Sequence, residues 1–190
     1  MTIADMVDRV RDFLNADVCP QIRLKQSSDD DVDSFTLVHP VAYSVQRPWV
    51  NQKNSTVQAP SITVIPSDGQ DNEDKKSSLC HFRLLCLVWD PGQHTHPIDG
   101  DGQEDHSTME FSATTEGWRD LANLIDVIRR EIETRDNIGG MAVEYPIKYS
   151  LYLLDENGNP LPEFVDYRAG WVDFSLQCMV LRKKTYNHLL

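Results

Sequence analysis

The sequence predicts an α+β domain in which two helices pack on one face of a mostly antiparallel sheet, in the order helix, strands, helix, two strands. Two segments, 2–14 and 116–132, repeat apolar residues with the spacing of an amphipathic helix. Two others, 145–155 and 171–181, alternate apolar and polar residues as long strands do. A chain of 190 residues is expected to form a single domain, residues 1–190.

The first helix begins at Thr2, a residue type favoured at the N-cap. We expect Asn15 and Pro20 to end it. Its apolar face comprises Ile3, Met6, Val7, Val10, Phe13 and Leu14.

Three strand signals follow the first helix. Residues 22–25 and 61–65 are predicted to form short strands, and 81–89 a central strand that is apolar on both faces. The segment 34–50 also alternates, but its two prolines restrict it to an edge or a broken strand. Four polar segments are predicted to be long loops: 27–33, 66–78, 90–110 and 156–170.

The second helix is expected to stop at Gly139-Gly140, and two long strands follow it. Its core stripe comprises Trp118, Leu121, Ile125, Ile128 and Ile132. The strands are expected to bury Ile147, Tyr149, Leu151 and Leu153, and Val172, Phe174, Leu176, Cys178 and Val180. Their opposite, polar face would then carry Lys148, Ser150, Tyr152, Asp173, Ser175 and Gln177.

Composition excludes several classes of function. A net charge of −12 argues against nucleic-acid binding through a broad basic surface, which works by neutralising phosphates. No segment approaches the run of about 18 apolar residues that a membrane span needs. The acidic N-terminal segment is unlike a signal peptide, and Cys86 and Cys178 lie in predicted strands as buried thiols do, so we expect synthesis in the cytoplasm.

The 90–110 segment is where potential metal ligands crowd together. His94, His96 and His106 could bind zinc, although structural zinc sites usually add thiolates. The spacing of an EF-hand loop places calcium ligands at Asp99, Asp101, Gln103, Asp105 and Glu110. That loop needs glycine at its sixth position, where this chain has Glu104. A solvated loop is the favoured interpretation, so we expect no metal and no cofactor.

The nucleophilic residues and the glycine-containing segments of the chain match no catalytic motif. The sequence contains neither a GxSxG elbow nor a phosphate-binding P-loop. We therefore expect a protein that is not an enzyme and assign no catalytic residue. Trp89 and Trp118 are predicted to be core residues, whereas Trp49 and Trp171 suit either the core edge or a protein–protein contact.

The order of elements resembles the tail terminator (tail completion) proteins of long-tailed bacteriophages. The similarity covers most of residues 1–185 and is carried by three stretches: PSITVIPSDGQDNED, the helix that contains Trp118, and YPIKYSLYLLDENGNP followed by WVDFSLQCMVL. The segments 34–59 and 90–110 are longer than a minimal terminator needs.

This resemblance implies a structural virion protein, assembled in the host cytoplasm, that forms a homomeric ring, typically a hexamer. Such a ring caps the tail tube, contacts the tube protein and the head-completion (neck) proteins, and lets genomic DNA pass without specific binding or any membrane contact. Two alternatives remain open. One is another head–tail joining component, either a head-closure protein or a tail-tube relative. The other is a metal-dependent protein that uses the 94–110 loop.

Overall fold

The computed structural model describes residues 1–27, 35–45, 59–72, 77–90, 92–95, 102–103, 110–112, 116–153, 159 and 167–179. These residues form an α+β fold. The helices are α1 (Ile3–Phe13) and α2 (Glu116–Glu133). The strands are β1 (Leu24–Ser27), β2 (Phe35–Val38), β3 (Val41–Ser44), β4 (Ser61–Asn72), β5 (Ser77–Trp89), β6 (Gln93–Thr95), β7 (Glu110–Ser112), β8 (Asn137–Ile138), β9 (Met141–Ser150) and β10 (Tyr167–Met179).

The main sheet has six strands in the order β3-β4-β5-β10-β9-β8. Its pairs are antiparallel except β3 with β4, which run parallel. The sheet is therefore mixed. Residues 45–60 connect the parallel strands, a length that suits the crossover that parallel pairing requires. The pairs β1–β2 and β6–β7 form two separate two-stranded sheets.

The order of helical elements differs from the prediction in two places. Thr2 caps α1 through a capping box with Asp5, but the helix continues into a π-helical turn, Leu14–Val18, and a 3-10 turn, Cys19–Gln21. Asn15 therefore does not end it. At the other helix, α2 stops at Glu133, and the glycines expected to stop it instead form the turn between β8 and β9. Both have positive φ, which glycine adopts without strain.

Two of the predicted loops are partly strand. Strand β4 runs through Asn72 and pairs with β5 from Ser77, so most of 66–78 belongs to a long hairpin. Strand β10 begins at Tyr167, inside the predicted loop 156–170. The polarity of 66–78 predicted a loop because residues 67–71 of β4 are exposed, and an exposed stretch of strand has no need of apolar residues.

Both helices contribute to one hydrophobic core with the face of the sheet on which the even-numbered side chains of β5 and β10 lie. On β10, Val172, Phe174, Leu176 and Cys178 are buried, as predicted. Trp89 is also buried, but the prediction for Trp118 is wrong because this side chain is largely exposed. The stripe of α2 that packs on the sheet consists of Leu121, Leu124, Ile125, Ile128 and Ile132.

Strand β9 is less buried than its alternation predicted. Ile147, Leu151 and Leu153 are partly buried, but Tyr149 is 49% exposed. The reason is its position near the edge of the sheet, where, among the described strands, the two-residue β8 alone lies beyond β9. Val180 lies outside the described residues.

Candidate interaction surfaces

The sheet face that points away from the helices carries a row of paired polar side chains, which we call the polar face. Asp173, Ser175 and Gln177 lie on it, as the alternation of the last strand predicted. Arg83 donates two hydrogen bonds to the Asp173 carboxylate, from Nε at 2.8 Å and from Nη2 at 2.7 Å. The His81 Nδ1 hydrogen-bonds the Ser175 hydroxyl, and Gln177 Nε2 donates to the Ser77 hydroxyl at 3.1 Å.

These pairs form because β5 and β10 are in antiparallel register, with Arg83 opposite Asp173 and His81 opposite Ser175. Residues directly opposite each other in such a pair point to the same face. The Arg83 guanidinium also lies over the Trp171 ring, 4.7 Å from its centroid. The hydrogen bonds to Asp173 raise the pKa of Arg83, so this cation stays charged over the whole physiological range.

Arg83 and His81 were not among the residues predicted for the polar face, because strand 81–89 was predicted to be apolar on both faces. That interpretation is wrong for the first half of the strand. The two polar residues are spaced two apart, with Phe82 between them and Leu84 after them, and this alternation is the signal of one polar face. The apolar residues 84–88 that follow concealed the signal.

A groove of about 310 Å³ crosses the polar face between two irregularities in the sheet. The register shifts between Pro66 and Asp68 in β4, and between Asp173 and Ser175 where β10 meets β9. Bulges of this kind bend strands and redirect side chains. The groove is lined by Ser67, Asp68, His81, Pro146, Lys148 and Ser175, among others.

The polar face is close to electrical balance, unlike the chain as a whole. Its described strands carry two basic side chains, Arg83 and Lys148, and three acidic ones, Asp68, Glu144 and Asp173. The resulting net charge of −1 contrasts with −12 for the entire chain. The acidity of this protein is therefore concentrated elsewhere.

The β3 edge of the sheet is closed by a side chain. Asn15 donates from Nδ2 to the Ala42 carbonyl at 3.1 Å, and its Oδ1 accepts from the Ala42 amide at 2.9 Å. The amide group of Asn15 thus takes the place of a neighbouring strand, since none of the described strands pairs with this side of β3. The π-helical turn Leu14–Val18, which contains Asn15, holds it in that place.

The opposite edge of the sheet, formed by β9 and β8, is irregular. Strand β8 covers only Met141 and Ala142 of β9. Beyond them Pro146 has no amide hydrogen to donate, and Lys148 is exposed. Proline, lysine and bulges are common means by which sheets prevent their edges from pairing with other chains.

Four exposed aromatic residues are found on α2 and on residues 145–152, the end of β9 and the two residues that follow it. We call them the α2–β9 aromatic band; they are Trp118, Tyr145, Tyr149 and Tyr152, each 46–63% exposed. The Arg129 guanidinium stacks 4.1 Å from the Tyr149 ring centroid. Trp118 falls on the same helical stripe as Arg129, eleven positions or about three turns away.

The band is held in place by polar contacts. Arg129 forms ion pairs with Asp126 at 3.3 Å and with Glu133 at 3.4 Å. The Tyr145 hydroxyl donates to the Glu133 carbonyl oxygen at 3.4 Å. Two of its rings are therefore anchored to α2.

A second group of exposed apolar residues lies on β2 and β3, which are joined through His39 and Pro40. We call it the β2–β3 apolar group; it comprises Phe35, Leu37, Val41 and Val45, each 44–57% exposed. Arg23 lies at the junction of the two strands, where its Nε donates to His39 Nε2 at 3.3 Å. In strand order, β3 and β9 lie on opposite sides of the β4-β5-β10 centre.

The metal-site predictions fall mostly outside the described residues. His94 lies in β6 opposite Phe111, but His96 and His106 are not among the residues described, nor are Asp99, Asp101 and Asp105. Within the described ranges, no group of three or more His, Cys, Asp or Glu side chains could hold a metal ion. Both metal hypotheses stay predictions. Trp49 also lies outside the described part of the chain.

Neither helix of the described chain is long and apolar enough to span a membrane. Comparison with models of protein families gives no match to this chain, and comparison with curated proteins gives none either.

Proposed function

We propose that this protein is a structural subunit of a homomeric ring that caps a phage tail tube and joins it to the head. The proposal starts from the resemblance of the sequence to tail terminator proteins. The observation that supports it best is the build of the sheet, with one face covered by two helices and the other, the polar face, exposed and lined with paired side chains.

The contacts on the polar face suit a wall better than a binding site for a polyanion. Arg83, one of its two cations, is held by Asp173, and the acidic side chains outnumber the basic ones. Tight DNA binding requires unpaired Lys and Arg side chains that can neutralise phosphates. A surface of this kind would let DNA pass without holding it, as a channel for the genome must.

The net charge of the polar face changes one expectation drawn from the sequence. An overall charge of −12 suggested a channel wall that repels DNA. Since the polar face carries a net charge of only −1 among its described residues, it also suits contact with a neighbouring subunit. Whether the polar face lines the channel or contacts a neighbouring subunit, the opposite face of the same sheet is covered by the helices.

The experiment is to purify the full chain and image it by negative-stain electron microscopy, alone and with tail tubes assembled from a purified phage tube protein. We expect rings with one rotational symmetry, and tubes that carry such a ring at one end. Mass photometry would give the number of subunits. A chain that stays monomeric at tens of micromolar and leaves tube ends bare would contradict the proposal.

Cryo-electron microscopy of an intact virion would distinguish a terminator from its nearest alternatives. Density for the chain between the tube end and the neck supports the proposal. Density within the head-closure ring, or repeated along the tube, would favour the other joining components.

A further inference from the structure

A second groove lies between the start of α1 and the outer part of the β4–β5 hairpin, and we call it the α1 groove. Its volume is about 600 Å³, within the usual range of ligand sites. Apart from two carboxylates, the described residues that line it are apolar or small, and the apolar ones are Met1, Ile3, Met6, Pro66, Leu79 and Cys80. Ile3 is 63% exposed, so the groove is open to a ligand.

The charged side chains of the α1 groove are acidic. Asp68 and Asp71 line it and are exposed, and no basic side chain is among the described residues of its lining. At the start of α1, the charge of the Met1 amino group is offset by Asp5, which lies within electrostatic reach of it. A ligand that suits the α1 groove therefore combines positive charge with apolar side chains.

Residues 180–190 of the same chain have this chemistry. They contain three of its 18 basic residues, at 182–184, and none of its 30 acidic ones. The segment therefore carries +3, which leaves −15 on residues 1–179 out of the total of −12. Its apolar side chains are those of Val180, Leu181, Tyr186, Leu189 and Leu190.

The last described residue of the chain lies beside the α1 groove. Met179, at the end of β10, is opposite Ser77 of β5, and the next residue of β5, Ser78, lines the groove. Asp71 is opposite Ser78 on β4, two strands from β10 and hence about 10 Å away across the sheet. Three residues of extended chain also span about 10 Å, so the side chain of Arg182 can reach that carboxylate.

We propose that residues 180–190, which follow the last described residue, dock in the α1 groove of their own chain. The basic side chains at 182–184 pair with Asp68 and Asp71, and apolar side chains of the segment cover Ile3 and Leu79. A segment tethered this close to its site has an effective concentration in the millimolar range, so even a weak contact is well populated. Docking joins the end of β10 to α1 and offsets part of the negative charge there, whether or not the protein is a ring subunit.

The test attaches a nitroxide spin label to the full chain through Tyr186→Cys. The four native thiols are buried and should not compete for the label. A nitroxide broadens the NMR signals of nearby amides, so the Ile3 amide in the α1 groove should broaden strongly. The Val88 amide, near the other end of β5 and about 35 Å from Ser77, should be unaffected.

Two charge reversals distinguish docking from simple proximity. Asp71→Lys removes a carboxylate of the groove, whereas Asp136→Lys makes the same change in net charge at an exposed residue outside it. Asp71→Lys should reduce the broadening of Ile3 by about half or more, because replacing an attractive pair by a repulsive one shifts a weak equilibrium about tenfold. Asp136→Lys should leave the broadening unchanged. Adding Lys183→Glu and Lys184→Glu to the Asp71→Lys chain should restore it, which a groove that had lost its fold could not show.

Three results would overturn the inference: an Ile3 amide that the nitroxide does not broaden, equal effects of the two charge reversals, or no restoration by the reversed segment. A fourth is broadening of Ile3 in isotope-labelled chains mixed with separate spin-labelled chains, which would place the segment on another copy. If Ile3 is unaffected and duplex DNA immobilises the nitroxide, the basic segment binds nucleic acid instead. The proposed function is tested apart from this, since rings on tail tubes can form or fail to form whichever way residues 180–190 bind.

Discussion

Gly170 shows how a single residue sets the distance between α2 and the sheet. A Cβ at this position would lie 2.5 Å from the Ser150 carbonyl oxygen and 3.1 Å from Ile125 Cδ1. The first of these atoms belongs to the backbone of β9 and cannot move aside without disturbing the sheet. Any side chain at position 170 would therefore push α2 or β9 outward.

We expect Gly170→Ala to destabilise the fold by about 1–3 kcal/mol, the usual cost of overpacking a filled core. Urea denaturation followed by circular dichroism would measure the loss. Ala142→Ser, at an exposed position of β9, should change stability by less than about 0.5 kcal/mol. Equal changes in the free energy of unfolding for the two substitutions would contradict this prediction, because they would show that a side chain fits at position 170.

The cysteines provide a second test at the residue scale. All four are buried as free thiols. Burial raises the pKa of Cys19 to about 11 and also raises the pKa of Cys86. The folded protein therefore keeps these thiols protonated at pH values where the unfolded chain, with ordinary thiols, releases the protons.

The pKa values of these thiols are higher in the folded state than in the unfolded chain. Their contribution to the free energy of unfolding is therefore complete below the pKa of an unfolded thiol, about 8.5, and declines as the pH rises above it. We expect the urea midpoint to fall between pH 8 and pH 10.5. Cys86→Ala should lower the midpoint at both pH values but reduce the difference between them. A variant with the same pH dependence as wild type would contradict this account.

At the scale of elements, the turn that follows α1 decides how the sheet ends. Asn15 and Pro20 predict a regular α-helix that stops near Asn15. Instead the chain forms a π-helical turn, a type often found at functional positions. It brings Asn15 beside Ala42, 27 residues later in the chain.

Asn15→Ala should leave both backbone groups of Ala42 without their partner. We expect the Ala42 amide to exchange hydrogen with solvent at least tenfold faster, and the protein to lose about 1–3 kcal/mol of stability, as when a buried group loses its hydrogen bond. Hydrogen exchange measured by NMR would report the change. Asn123→Ala, on the exposed side of α2, is the matched control and should leave that amide unchanged.

At the scale of the whole molecule, the net charge governs how strongly copies of the chain repel one another. Copies that each carry −12 repel one another at long range. A single ion pair at an exposed interface contributes at most about 1 kcal/mol. Long-range repulsion should therefore decide how the association of copies depends on salt.

We expect assembly of the wild type to strengthen between 50 and 500 mM NaCl, because salt at the higher concentration screens charges beyond a few ångströms. Sedimentation equilibrium at the two concentrations would measure the change, with sodium sulfate of equal ionic strength as a check on specific chloride effects. Weaker assembly in high salt would mean that attraction between opposite charges dominates the contact.

The sequence by itself determined what local periodicity can encode. The spacing of apolar residues predicted both helices, and strict alternation predicted the buried face of β10, because these patterns depend on neighbours within a few positions. The same alternation placed Asp173, Ser175 and Gln177 on the polar face. An α+β fold followed from the order of these segments.

Only the tertiary structure decided which residues meet. The register of β5 against β10 brings Arg83 to Asp173 across 90 residues, and no local pattern specifies a register. The tertiary structure also leaves Trp118 and Tyr149 exposed, since the breadth of the sheet determines which apolar positions are covered. The aromatic band and the hydrogen bonds between Asn15 and Ala42 could therefore not be predicted from the sequence, because both depend on which strands form the edges of the sheet.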